Sequence, residues 1–133
     1  MHALPALSRL LATLLLAAFA STVLATEGTG TKLARYEAAA GDPVPHFRFF
    51  RVLDYSVVDG RTLTIRTGIR TAWLVQVDEP CDALQWEPAL RLESYARLVT
   101  VNTSRVEVGR YSCRITEIRP LDMDVLRDLT QST

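Results

Sequence analysis

The chain has 133 residues, of which 48% are hydrophobic and 23% charged, and its 15 basic and 15 acidic side chains leave no formal net charge. This balance is typical of a small globular protein and does not favour nucleic acid or an anionic membrane surface as a partner. The length allows one compact domain and excludes most multi-part enzyme architectures.

The first 25 residues have the pattern of a removable export signal. Arg9 precedes a run of apolar or small residues over 10–20, which has the length of a signal-peptide core. Two cleavage sites fit, one after Ala20 and one after Ala25, and we favour the second. The run is too short to span a bilayer as a helix, which needs about 20 residues. We therefore predict a periplasmic or secreted protein with no transmembrane segment after removal of residues 1–25.

Residues 26–46 differ in composition from the residues that follow them. The segment 36–40 is only weakly helical, and Gly41, Pro43 and Pro45 interrupt regular structure. We predict a flexible arm or linker here, followed by a single β-rich domain over residues 47–133.

The β-rich region begins with a predicted meander of three strands. Apolar residues alternate at Leu53, Tyr55 and Val57 and again at Leu63 and Ile65, with the spacing of half-buried strands. The third strand is predicted over Thr71–Asp78.

The loop between the first two strands determines their register. A three-residue loop, Val58–Gly60, would pair Tyr55 with Leu63 and Leu53 with Ile65, so that one face is uniformly apolar. A two-residue Asp59–Gly60 loop would set apolar residues against polar ones. We therefore predict the longer loop, with Gly60 at positive φ. The side chains predicted to point away from the core are Asp54, Thr62, Thr64 and Arg66.

The second half of the chain contains a short helical turn, further strands and a C-terminal helix. Pro80 ends the third strand, and Pro88 prevents a long helix before the strands resume. The predicted elements are a turn of helix over Cys81–Leu84, strands over Arg97–Val101, Arg105–Val108 and Tyr111–Ile118, and turns over Asn102–Ser104 and Gly109–Arg110. The last helix, opened by Asp122 or Asp124, is expected to bury Val125, Leu126 and Leu129.

The chain has two cysteines, Cys81 and Cys113. In an exported protein an even number of cysteines indicates disulfide bonding, and these two allow one pairing. The predicted fold class is therefore mainly β with a minor α component, either a small antiparallel meander or a partly open barrel. One disulfide and a short C-terminal helix complete it.

Three short motifs stand out along the β-rich region. They are Val52-Leu53-Asp54, Pro80-Cys81-Asp82-Ala83-Leu84, and the late strand Gly109-Arg110-Tyr111-Ser112-Cys113-Arg114-Ile115. On these motifs, the stretch from about Phe50 to Leu121 resembles a family of small exported bacterial proteins of unknown function. Its members often have a second cysteine pair, with one Cys in a turn that corresponds here to Leu98–Asn102. The resemblance implies no established activity.

Residues with catalytic or metal-binding chemistry are sparse. After residue 25 the chain has one histidine, His46, so nucleophilic catalysis lacks an obvious base and zinc lacks enough ligands. We assign no catalytic residue, no cofactor and no metal. Asp122 and Asp124 are interpreted as helix-capping carboxylates.

Four arginines that fall near one another are candidates for anion binding: Arg48, Arg51, Arg66 and Arg70. The alternative is that they cover a solvated face. The function predicted from these observations is an exported, non-catalytic binding or interaction module whose partner is a protein or another envelope component, contacted through sheet edges and exposed loops. Two alternatives stay open: a small envelope enzyme using carboxylates at Asp54 or Asp78–Glu79, and a periplasmic inhibitor of a lysozyme-like hydrolase.

Overall fold

A computed structural model describes residues 28–78, 81–85 and 89–132. The predicted export signal, residues 1–25, lies outside this part of the chain. In chain order the elements are α1 (Thr29–Ala38), β1 (His46–Arg48), β2 (Asp54–Val57), β3 (Thr62–Arg66), β4 (Ala72–Val77), a 3₁₀ turn (Asp82–Gln85), β5 (Leu90–Glu93), β6 (Leu98–Thr100), β7 (Arg105–Val108), β8 (Tyr111–Leu121) and α2 (Met123–Gln131). No helix in these ranges is long and apolar enough to cross a membrane.

The fold is mainly antiparallel β, as predicted. Six strands form one open sheet curved into a half-barrel, in the order β2-β3-β4-β8-β7-β5, and β1 pairs with β6 in a small second sheet. The predicted meander of β2, β3 and β4 is confirmed. The central contact, β4 against β8, joins strands far apart in sequence, and its register shifts between Gln76 and Val77.

The disulfide between Cys81 and Cys113 is also confirmed, with Cα atoms 6.0 Å apart. It links the residue before the 3₁₀ turn to the third residue of β8, and both cysteines are buried. The turn predicted at Cys81–Leu84 is present, and the Leu84 N–H donates to the Cys81 carbonyl at 3.0 Å.

The hairpin between β2 and β3 differs from the prediction in register. Tyr55 lies opposite Ile65 and Val57 opposite Leu63, two positions away from the expected pairing. The Val58 N–H donates to the Thr62 carbonyl at 2.8 Å, so the loop has three residues but comprises 59–61. Gly60 does not have a positive φ.

Two apolar clusters lie on opposite faces of the sheet. The first lies inside the curve and contains Leu63, Ile65, Val75 and the disulfide. The second lies beneath the two helices and includes Ala39, Leu74 and Leu126. Two expectations about exposure are wrong. Thr62, predicted to point away from the core, lies on the face that the helices cover and is 1% exposed, and Leu53, predicted to be in the core, is 37% exposed.

The segment 26–46, predicted as a linker, is structured over its described residues. Helix α1 packs against α2, and Ala40 forms a bridge with Leu121 at the end of β8. The Gly41 N–H donates to the Pro120 carbonyl at 2.8 Å. These contacts join segments about 80 residues apart, so the local composition of the segment does not reveal them.

Helix α2 begins as predicted. Asp122 is its N-cap, and its carboxylate accepts the N–H groups of Asp124 and Val125 at 3.0 and 3.1 Å. Leu126 is buried and Leu129 half-buried, but Val125 is 40% exposed, contrary to expectation. Strand β5 was not predicted at all.

Candidate functional site

A cavity of about 220 Å³ lies between the sheet and the two helices, on the face opposite the disulfide. Its polar side is formed by β2, β3 and α1, and its apolar side by β4, the end of β8 and α2. The polar lining residues are Tyr36, Asp54, Ser56, Thr64 and Arg66, and the apolar ones are Ala72, Leu121, Met123 and Leu126. We call this space the helix-side cavity.

The pairing of β2 with β3 explains why polar residues meet here. Asp54 is the cross-strand partner of Arg66, and Ser56 is the partner of Thr64. Side chains alternate between the two faces of a strand, so these four residues lie opposite the apolar series that includes Tyr55 and Ile65. The alternation is visible in the sequence, but its polar face was predicted to point away from the core.

Arg66 has the least satisfied polar group in the cavity. Its side chain is half-buried, and its buried Nε has no hydrogen-bond partner. Burying an N–H group without a partner costs free energy, so such groups in native proteins are usually paired with protein, water or ligand. The arrangement leaves Arg66 able to bind an anionic group.

Asp54 lies at the exposed rim of the same cavity. One of its carboxylate oxygens, Oδ1, accepts the N–H of Tyr55 at 2.8 Å. Although Asp54 and Arg66 are cross-strand partners, no ion pair joins these two described side chains. The cavity therefore has an acidic and a basic group that do not form an ion pair with each other.

The structure places only one of the four candidate arginines in this cavity. Arg48 is exposed on β1, and Arg51 is exposed in the segment between β1 and β2. Arg70, in the turn between β3 and β4, forms an ion pair with Asp124. The predicted grouping of four arginines is thus distributed over different parts of the surface.

Asp124 is held by two cations. Hydrogen bonding and charge attraction from Arg70, together with Arg127 at 2.6 Å, lower the pKa of the Asp124 carboxyl below its ordinary value. Asp122 is used as the helix cap. Asp122 therefore has the capping role that the sequence indicated, whereas the Asp124 carboxylate forms ion pairs and does not cap the helix.

The other carboxylate candidate, Asp78, is also engaged. Its Oδ1 accepts the Arg114 N–H at 2.7 Å, and its Oδ2 lies 3.6 Å from the Arg114 Nε, which ties β4 to β8 next to the disulfide. Glu79 lies outside the described residues. His46 is exposed on β1, opposite Thr100. In the described ranges, no group of three or more His, Cys, Asp or Glu side chains could hold a metal ion.

A second, apolar cleft of about 310 Å³ opens between the two edges of the half-barrel. Near it, Phe50 is 78% exposed, and the Arg97 guanidinium lies 4.9 Å from the centre of its ring. The cleft is lined by Phe49, Val52, Tyr55, Ile65, Leu90, Arg91 and Leu92. The cleft could not be predicted from the sequence because one of its walls is β5, a strand that the sequence pattern did not indicate.

Fold and cavity together define a small disulfide-bonded β-protein with a two-helix layer over a polar cavity. The chain belongs to DUF6491, a family of unknown function whose model matches residues 2–133. This agrees with the resemblance to a family of unknown function noted from the motifs. No curated protein and no solved structure matches the chain.

Proposed function

We propose that the protein is a non-catalytic binding module that acts outside the cytoplasm and holds a small ligand through an anionic group at Arg66. The observation that carries this proposal is that Arg66, whose side chain lines the cavity, has a buried Nε without a hydrogen-bond partner. A guanidinium presents its N–H groups in a planar fork that matches a carboxylate or a phosphate. An anionic ligand would supply the missing acceptor.

Two features support a periplasmic or secreted location. The disulfide between Cys81 and Cys113 forms and persists in oxidising compartments. Residues 1–25 also have the composition of an export signal, with small residues at the favoured cleavage site.

The set of side chains around the cavity favours binding over catalysis. Among the described residues that line it, Asp54 is the one carboxylate, and no histidine is present. General acid–base chemistry at Asp54 would need a second group of suitable reactivity, and Asp78 is engaged by Arg114 elsewhere. No specific observation favours inhibition of a lysozyme-like hydrolase.

The free edge of β2 is also poorly suited to adding a strand from a partner. Its Tyr55 N–H donates to the Asp54 carboxylate at 2.8 Å, and its Val57 carbonyl accepts from the Lys32 Nζ at 3.0 Å. These contacts engage edge groups that a partner strand would need. A small ligand in the helix-side cavity therefore fits the structure better than strand addition at this edge.

NMR detection of the Arg66 side-chain Nε–H tests the proposal directly. Titration with acetate or with inorganic phosphate, at constant ionic strength, should shift this resonance in a saturable manner. Arg66→Gln should abolish the saturable shifts of neighbouring backbone amides, whereas Arg48→Gln, at an exposed position outside the cavity, should retain them. If neither anion shifts the Arg66 resonance, or if Arg66→Gln binds as the wild type does, the proposed site is wrong.

A further inference from the structure

We infer that the ligand of the helix-side cavity is a small zwitterion with an ammonium and a carboxylate on the same carbon, that is, a free α-amino acid. This inference rests on the proposed binding at Arg66 and specifies the ligand. Its basis is the presence of Asp54 and Arg66, cross-strand partners of opposite charge, in one cavity without an ion pair between them.

The charge of Asp54 argues against a ligand that is only anionic. Directly opposed residues in an antiparallel pair have Cβ atoms about 5 Å apart, so a carboxylate bound to Arg66 would lie close to the Asp54 carboxylate. Two like charges at this range repel each other. A ligand ammonium placed against Asp54 would turn this repulsion into attraction.

The bonding of each group is compatible with this arrangement. Asp54 uses Oδ1 to accept the Tyr55 N–H, and its second oxygen has no hydrogen-bond partner among the described residues. Arg66 has its buried Nε without an acceptor. An α-amino acid presents three ammonium donors and two carboxylate acceptors close together, which complements the two side chains.

The remaining lining indicates an apolar side chain of modest size. The apolar lining consists of Ala72, which is the cross-strand neighbour of Arg66, together with Leu121, Met123 and Leu126. Pockets for drug-sized ligands occupy about 300–1,000 Å³. This cavity, of about 220 Å³, is smaller and suits a single amino acid such as valine.

Three matched probes separate the contributions of the two charges. L-valine has both groups, 3-methylbutanoate lacks the ammonium, and isobutylamine lacks the carboxylate. Binding of each is measured by NMR titration of the full protein at pH 7 and constant ionic strength. L-valine is expected to bind about tenfold more tightly than 3-methylbutanoate, as the low end of the range for a hydrogen bond between charged groups. Isobutylamine is expected to bind most weakly.

Two variants assign the difference to a residue. Asp54→Asn should remove the advantage of L-valine over 3-methylbutanoate while leaving carboxylate binding at Arg66. Asp42→Asn, an exposed change outside the cavity, should preserve the advantage. Far-UV circular dichroism of each variant verifies that it is folded.

The outcomes distinguish this inference from the proposed function. Equal affinities for L-valine and 3-methylbutanoate in the wild type, or an advantage that survives in Asp54→Asn, would overturn the zwitterion assignment and leave the anion site standing. If neither a carboxylate nor inorganic phosphate shifts the Arg66 Nε–H resonance, both proposals fail. A tenfold advantage that disappears only in Asp54→Asn supports both.

Discussion

The carboxyl of Asp124 lies between two guanidinium groups at the start of α2, and its pKa is lowered first by Arg70 and then by Arg127. A carboxyl whose pKa is lower in the folded than in the unfolded chain stabilises the fold above its unfolded value. For Asp124, whose ordinary pKa is 3.8, this stabilisation is present above that pH and is lost as the pH falls below it.

We predict that Arg70→Ala raises the pKa of Asp124 towards 3.8. The variant removes the strongest interaction but leaves Arg127, so the rise should be partial. An NMR titration that follows the Asp124 side-chain carboxyl carbon measures it. Arg91→Ala, which removes an exposed ion pair to Glu107 on another part of the sheet, serves as the control. An unchanged Asp124 pKa in Arg70→Ala would contradict the assignment.

The N-cap of α2 gives a second prediction at the scale of single residues. The Asp122 carboxylate accepts two N–H groups that the helix itself cannot satisfy. Asp122→Ala is expected to lower the free energy of unfolding by about 1 kcal/mol, measured by urea denaturation. Asp128→Ala in the same helix should change it by less than about 0.5 kcal/mol, because Asp128 is exposed and its carboxylate is not a cap. Equal effects of the two changes would refute the capping role.

The two hairpin loops differ in their need for glycine. Gly109, at the first position of the loop between β7 and β8, has a φ of 60°, where a Cβ is strained. Gly60 lies outside this region, and an added Cβ would meet only the flexible end of Gln85, at 3.2 Å. Gly109→Ala should therefore cost about 1–2 kcal/mol of stability and Gly60→Ala less than about 0.5 kcal/mol. The opposite order in urea denaturation would show that the loop geometries are misassigned.

The disulfide is expected to make a large contribution to the free energy of unfolding. It closes a loop with a sequence separation of 32 residues, for which the chain-entropy model gives about 3.7 kcal/mol. The Cys81→Ala, Cys113→Ala double variant should therefore melt about 10 °C or more below the oxidised protein in differential scanning calorimetry. Wild-type protein treated with a reductant should behave like the double variant. A shift of less than about 2 °C would show that the link constrains the unfolded chain little.

At the scale of elements, the sequence predicted what depends on neighbouring residues. The strand over Arg105–Val108, the Gly109–Arg110 loop, the 3₁₀ turn and the Asp122 cap all follow from local pattern and turn chemistry. The register of β2 against β3 was wrong because a slip of two residues keeps every side chain on the same face. Alternation of apolar and polar residues cannot distinguish two such registers.

At the scale of the whole molecule, the main errors concern contacts between distant segments. Helix α1 is stabilised by α2 and the end of β8, so a stretch predicted as a linker contributes to the second cluster. The candidate site was missed for the same reason. Asp54 and Arg66 were each singled out, but their common cavity exists only because the helices cover that face of the sheet.

The two apolar clusters share one sheet, and this arrangement predicts that they unfold together. Leu74 of β4 belongs to the second cluster, beneath the helices, whereas its neighbour Val75 belongs to the first cluster, which contains the disulfide. Loss of packing on one face therefore weakens the strand on which the other face depends. Leu126→Ala, a large-to-small change in the second cluster, is expected to lower the free energy of unfolding by about 2–4 kcal/mol.

This loss should be detected equally on both faces. On the disulfide side, Trp73 stacks on Phe47 with ring centres 4.7 Å apart, and its indole N–H donates to Thr67 at 3.2 Å, which gives it a distinct NMR resonance. In Leu126→Ala, the urea midpoint of the Trp73 resonance should fall together with the midpoint measured by far-UV circular dichroism. Val125→Ala, at the exposed neighbouring position, should move neither midpoint appreciably. If the helices unfold while the Trp73 resonance persists, the faces are independent and the sheet does not couple them.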